Sequence, residues 1–468
     1  MKSTRWMAGS LAVTMMASLC LAGGGGGGGD RTATPPKTDE LLKAPDQPLD
    51  ARIKVEKITE MDPPPLPEQV ILPMPPMFAV STQANEVPIS AETWAKAQAA
   101  MKKGLAFLKS KQDAKGGWMA GQTTAPTDQP DKASPVSVAV TALALKALTQ
   151  GDAASMDQDH VLAALRYIRA AKQADGSYEA GAMANYVTAA VVSGLSSAQA
   201  ARLSDSQLRD EIADAVVSLK ANQWDQTEGL NARQDWFGGA GYGKNGRPDL
   251  SNTQMMLDAL YDAGVSPDEP AMQKALAFVS RTQNLKATNK ADWAGNDGGF
   301  AYTGANGGES MASEAAGEGR QGEKLPAGQP RSLRSYASMT YAGFKSMLYA
   351  GLSPDDLRVR AAFDWIRNHW SFEENPGLGL QGLYYYYHTM ARALNIAQQH
   401  EITDAQDVKH NWREEMIEAL LKRQAEDGSW VNTADRWMEN DPSLVTIYAL
   451  LSLQEALKPV TAVAVQPK

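Results

Sequence analysis

The chain has 468 residues, 43% hydrophobic and 21% charged, a globular composition with enough apolar mass for a large core. Its 45 Lys and Arg against 54 Asp and Glu leave a formal net charge of −9, which excludes a general attraction to nucleic acid, and no basic run offsets it. The one cysteine, Cys20, excludes a disulfide framework, a cysteine-rich zinc site and an iron–sulfur cluster.

The chain opens with Lys2 and Arg5, followed by an uncharged, mostly apolar run from Met7 to Ala22. That run is short for a bilayer span but suits a signal peptide, with small residues Cys20 and Ala22 before the cleavage point. Residues 1–22 are therefore read as a signal peptide. The mature chain is expected to be exported, to a periplasm or cell envelope, with no transmembrane anchor left after cleavage. A lipoprotein signal prefers a small residue before the cysteine, and Leu19 stands there, so lipidation at Cys20 is the lesser alternative. Residues 23–90 begin with seven glycines, Gly23 to Gly29, and hold twelve of the 25 prolines. Such a segment has too little apolar content to offset its ordering entropy, and a disordered tether is expected.

From residue 91 to 457 the pattern changes to Ala/Leu-rich helical periodicity, and it repeats. Each unit has an amphipathic helix, a turn of glycine and an aromatic, then a second helix richer in Ala, Ser and Thr. The first helices read Leu105–Gln112, Leu162–Gln173, Ile212–Gln223, Met272–Gln283, Val359–Trp370 and Trp412–Gln424. The turn aromatics are Trp118, Tyr178, Tyr242, Phe300, Tyr384 and Trp430, and the second helices begin near Ser137, Tyr186, Ser251, Tyr336, His388 and Ser443. The serines in these opening turns, Ser338 among them, are expected to be N-caps. No segment has strand periodicity. One helix pair cannot bury both apolar faces, so pairs must stack. Six of them predict an all-α fold, an α6/α6 toroid (barrel) of six helical hairpins, with residues 458–468 as a tail. Residues 304–330 are a Gly/Glu-rich insertion, expected to be a surface loop or a lid.

Gln followed by Gly-x-Trp at a helix–helix junction, clearest at Gln112–Trp118 and Gln424–Trp430, resembles the repeat shared by squalene/oxidosqualene cyclases and the β subunits of protein prenyltransferases. The resemblance implies a barrel whose inner helices line a deep, largely apolar cavity. Two family sites are testable by residue. In squalene–hopene-type cyclases a D-x-D-D-T-A stretch carries the proton donor; here Asp249-Leu250-Ser251-Asn252-Thr253-Gln254 keeps the first Asp and the Thr but has Ser251 in place of the acid. In prenyltransferases a Tyr-His-Thr carries a zinc ligand; Tyr387-His388-Thr389 is similar, but the partner Asp and Cys are missing near Arg334–Met339. One imidazole does not hold zinc, so no metal and no cofactor is expected.

Candidate catalytic groups are His388, at the cavity mouth, and Asp249. Candidate ligand-binding groups are Tyr384, Tyr387 and Tyr336 as aromatic walls, Arg334, Ser251 and Asn252 at inner-helix starts, and Trp236 and Asp297 on the longer turns. Six inner-helix N-termini at one end of the cavity predict a site favouring an anion such as a diphosphate or carboxylate. The expected partner is an apolar small molecule or lipid, or a protein or peptide at the cavity face. Three functions stay open: an exported toroid binding an apolar or isoprenoid-like ligand; a terpene cyclase/prenyltransferase-like enzyme using a different acid; and a carbohydrate-active α/α barrel drawing on Asp235, Asp297 or Asp441, which needs two carboxylates across a cleft.

Overall fold

The computed structural model describes residues 87–119, 133–150, 156–318, 324 and 331–460. The signal peptide, almost all of the tether, and most of the 319–330 stretch and of the tail lie outside the described residues. Among the described residues twelve α-helices alternate between an outer and an inner ring. The outer helices are α1 (Ala91–Ser110), α3 (Gln158–Arg169), α5 (Leu208–Ala221), α7 (Pro270–Ser280), α9 (Leu357–Asn368) and α11 (Trp412–Arg423). The inner helices are α2 (Pro135–Thr149), α4 (Ala184–Ala200), α6 (Leu250–Asp262), α8 (Ala337–Tyr349), α10 (Leu383–Ile396) and α12 (Pro442–Ala456). Each inner helix packs on the next, and α12 packs on α2 while α11 packs on α1, so the ring closes. A two-stranded ribbon, β1 (Ile402–Thr403) with β2 (Lys409–His410), joins α10 to α11. The chain is an α/α toroid.

Composition decides which ring a helix joins. The outer helix α3 buries Val161, Ala164, Leu165 and Ile168, one stripe at helical spacing, and leaves the charged face to solvent. Inner helix α2 is buried at every position from Ser137 to Thr149. A helix apolar on all sides is stable only when surrounded. Small residues let these helices close up: a side chain on Gly194 of α4 would meet the Ala142 carbonyl of α2 at 2.5 Å.

The repeated glutamine has a structural purpose. Gln112 Nε2 donates to Gly116 O in its own turn and to His160 O in the first turn of the next outer helix. Gln223 does the same to Gly238 O and Ala271 O, and Gln283 to Gly298 O and Arg358 O. Gln424 donates to Gly428 O and to Ala100 O, joining the last hairpin to the first. Gln173 keeps only a local bond to Ala171 O; there Arg169 ties α3 to Glu211 of α5 instead. The glycine in these turns is required twice over. Gly428 sits at φ +90°, and a Cβ there would lie 2.6 Å from the Lys103 carbonyl.

Inner-helix threonines complete the turns. Thr141, Thr188, Thr340 and Thr446 accept from the backbone N–H of Trp118, Tyr178, Phe300 and Trp430 at 3.0–3.2 Å. In the third unit Thr253 accepts from Ala240, so the matching turn position is Ala240 rather than Tyr242. In the fifth, α10 begins at Leu383 rather than near His388, which puts all four tyrosines 384–387 in its first turns. The expected serine caps are also displaced. Ser134, Asp249 and Asp441 are the N-caps, and Ser137, Ser251 and Ser443 lie inside the first turn. Carboxylate and serine oxygens just before the helix reach the free amides with extended backbone; a serine already in the helix does not.

Candidate functional site

The first halves of the inner helices surround a central chamber with about 980 Å³ of empty volume, its open mouth included. α2 contributes Val136, Ala139, Val140 and Leu143, one helical face. Most of the rest of the wall is aromatic and thioether: Tyr186, Tyr242, Tyr302, Tyr336, Tyr385 and Tyr448, with Met183, Met311, Met339 and Met438. Burial pushes the phenols up, Tyr186 to about 12 and Tyr302, Tyr336, Tyr385 and Tyr448 well above the usual tyrosine value, so these phenols are uncharged at neutral pH.

The turn before α12 closes one side. Trp437 (φ +58°) and Met438 (φ +65°) are consecutive non-glycine residues in the left-handed region, at a cost of about 1–2 kcal/mol each. That backbone aims Trp437, Met438 and Glu439 into the chamber. Arg436 holds it, with its guanidinium 4.3 Å from the Trp437 ring and a bond to Gln381 Oε1 at 2.7 Å.

Glu439 is the one carboxylate among the chamber-lining residues. Its oxygens accept from the backbone N–H of Tyr384 and Tyr385 and from Asn432 Nδ2, so it caps α10 from outside the helix. Burial raises it to about 7 against the pull of those donors. Asp249 lies behind the wall. It caps α6 through Asn252 N at 2.8 Å and Asn252 Nδ2 at 2.9 Å, and burial raises it to about 6. Side-chain oxygens of the chain itself therefore occupy five of the six inner-helix N-termini, through Asp249, Asp441, Ser134, Glu439 and, for Ser338 N, Asn375 Oδ1; α4 has no side-chain cap. This corrects the expected anion-attracting mouth, because the helix-end charge at those five is already met by internal carboxylates and caps.

Below the chamber, across the shared Leu143, Tyr385 and Tyr448, lies a small second recess. It is lined by Ser193, Gln254, Asp258, Lys146, Lys345, His388 and Arg392, among others. His388 is thus at the floor, not the mouth. Burial, then the charges of Lys146, Lys345 and Arg392, depress its imidazole to about 3, so it is neutral. Behind it runs a buried ion network. Lys146 pairs with Asp262 at 2.8 Å, and Arg392 with Asp262 at 2.5 Å and with Asp258 at 2.9 Å. Lys345 pairs with Asp258 at 2.5 Å. Although burial raises both carboxyls, the neighbouring cations hold Asp258 and Asp262 below the usual carboxylate range.

Of the sequence candidates, Tyr336 and Ser251 line the chamber and His388 lines the recess. Tyr384 and Tyr387 do not; they pack edge to face at 5.7 Å between hairpins, and Tyr387 donates to Phe372 O. Helical rotation turns Tyr385 inward instead. Asn252 is a buried bracket for Asp249, with its own carbonyl taken by Asn185. Trp236 stacks edge-on against Trp224 and donates to Asn306 on the fourth hairpin's loop. Asp297 braces the fourth turn through Gly299 N and Ser335 Oγ, and Arg334 is held by its backbone to Ser310 and Ser313; neither is part of the wall. The lining Tyr302, Tyr448, Trp437 and Glu439, and the floor ions, were not singled out in the sequence, and Tyr186, Tyr242 and Tyr385 were not named as ligand contacts. The floor had a legible signal: ionisable residues standing alone in Ala/Leu/Ser-rich second helices. Among the described residues no group of three His, Cys, Asp or Glu side chains is placed to hold a metal ion, and no helix is long and apolar enough to cross a membrane.

No family model and no curated protein matches the chain. Solved structures do. The alpha-1,6-mannanase of Salegentibacter sp. HEL1_6 is 9% identical, covering 77% of this chain and 98% of its own, with a TM-score of 0.47. D-mannose isomerase is 12% identical, covering 81% and 99%, at 0.45. The type II terpene cyclase MstE from Scytonema is 14% identical, covering 77% and 99%, at 0.29. Identities and scores this low carry nothing about substrate or chemistry.

Proposed function

We propose that the protein binds an apolar small molecule in its central chamber. The observation that supports this is the wall itself: six tyrosines, four methionines and Trp437 around the central space, a predominantly apolar lining with a few polar groups. Methionine adapts to irregular apolar shapes, and tyrosine rings offer flat contact with a polar edge. An exported location, read from residues 1–22, is part of the same proposal. The test is native mass spectrometry of the full mature chain with farnesol and with squalene. A one-to-one adduct with either, weakened in Trp437→Ala, is the expected result; no adduct with either refutes the reading.

A second reading is favoured by one observation. Glu439 faces the chamber with its proton affinity raised to about 7, which suits a proton donor near neutral pH. In an enzyme of the terpene cyclase kind it would be the different acid. Under that reading Glu439→Gln abolishes turnover of a bound polyene and leaves its binding intact. A glycan-cleaving site finds no such support, because among the described residues no second carboxylate shares the chamber wall.

A further inference from the structure

The floor of the barrel is built differently from its wall. Three cations, Lys146, Lys345 and Arg392, meet two carboxylates, Asp258 and Asp262, and all five side chains are at least nine-tenths buried. The neighbouring Glu455 is matched by Lys458 at 2.6 Å and adds no net charge. With every group ionised the layer carries one more positive than negative charge, while burial lowers the proton affinity of Lys146 and brings Lys345 down to about 8. The inner-helix C-termini offset part of this, since each presents a partial negative charge, but that effect fades within the last turn. Lys345 and Arg392 each stand four residues before the end of their helix. Two polar atoms at this level have no hydrogen-bond partner: His388 Nε2 and Gln254 Oε1. Gln254 is 1% exposed and spends its amide N–H on Tyr385 OH. Leu143, Tyr385 and Tyr448 line both the recess and the chamber, so these side chains stand between the two.

We infer that this recess takes the carboxylate head of an amphiphile whose apolar body fills the chamber above. The inference rests on the chamber-binding reading and adds the ligand's polarity and orientation. A single negative charge matches the surplus of one; a diphosphate, with about three at neutral pH, overshoots it in a site where each uncompensated buried charge is costly. Lys345 and Arg392 donate to the head, and the neutral imidazole of His388 adds a further N–H without adding charge. The wall above offers no cation among its lining residues, so the head has one place to go.

The test is calorimetric titration of the full mature chain with dodecanoate, dodecanol and dodecylammonium, and with farnesoate against farnesol. The acid is expected to bind about tenfold or more tightly than the matching alcohol, the size of one charge-assisted hydrogen bond, with the amine weakest. The farnesyl and dodecyl arms tell an isoprenoid acid from a straight-chain one. Lys345→Met, which leaves two cations facing two carboxylates, should erase the acid's advantage and spare the alcohol. Should that variant fail to fold, ring resonances of His388 in the unaltered protein decide: dodecanoate shifts them and dodecanol does not. Equal binding of acid and alcohol, or tighter binding of the amine, overturns the head assignment and leaves the chamber reading standing. Binding of none of the five overturns both.

Discussion

Gln424 is the most informative residue to change, because its one amide group closes the ring. Its Nε2 donates at 3.0 Å to Gly428 O and at 3.0 Å to Ala100 O, linking α11 to a helix 324 residues earlier in the chain. Each bond contributes about 0.5–1.5 kcal/mol net, and Ala leaves both carbonyls without this donor. Gln424→Ala should therefore cost about 2 kcal/mol of stability. Gln173→Ala is the internal control, since Gln173 makes one local bond to Ala171 O and ties no neighbouring helix; it should cost under about 1 kcal/mol. Gln424→Glu sharpens the argument. A carboxylate is acceptor-only, so two carbonyls would face a negative charge, and the variant should be less stable than the alanine. Urea unfolding of the full mature chain, followed by circular dichroism at pH 7, reads all three midpoints at constant slope. If Gln424→Ala and Gln173→Ala destabilise equally, or Gln424→Glu is the mildest, the glutamine is not the inter-hairpin tie and the explanation of the repeat fails.

Gly428→Ala should cost about 2 kcal/mol or more, because it combines a left-handed backbone with a Cβ 2.6 Å from Lys103 O; a melting temperature within a degree of the parent would contradict this. Glu439 links stability to pH. Its folded value, about 7, lies above the ordinary 4.5, so its contribution is complete below pH 4.5 and is lost as pH rises toward 7, about 3 kcal/mol in all. Stability curves of parent and Glu439→Gln from pH 4.5 to 7.5 should differ by that slope, and parallel curves would show the group is not buried as described. Trp437→Ala removes one ring from the chamber wall and should weaken farnesol about tenfold, measured by titration, with the fold retained by circular dichroism. Lys345→Met strands part of the Asp258 charge in the interior and should cost about 3 kcal/mol, against well under that for exposed Lys96→Met, whose partner Glu92 is in water.

The six-hairpin toroid was legible because its signals are local and repeated. Gln, a left-handed glycine and an aromatic recur at each junction, and the Ala/Ser/Thr content of the second helices marks them for the crowded inner ring. Helix starts were read to within a few residues except at α1, which begins at Ala91 rather than near Leu105, and at α10. There Glu439, 54 or 55 residues away, supplies the cap and lets the helix begin ahead of its tyrosines. No local pattern announces a cap that arrives from another hairpin.

The site was less legible for a related reason. Which tyrosine faces the chamber depends on a helix's rotation about its own axis, and that is set by neighbours: Tyr385 turns inward while Tyr384 and Tyr387, in the same turn and a half, pack outward. Likewise Lys146, Asp258, Asp262, Lys345 and Arg392 belong to four different inner helices and become a network only when the ring closes. Periodicity and turn chemistry are properties of neighbouring residues, so the sequence alone determined the helix pairs, their number and their stacking. Depth, facing and charge balance inside the barrel are properties of six helices at once, and tertiary structure alone decided them.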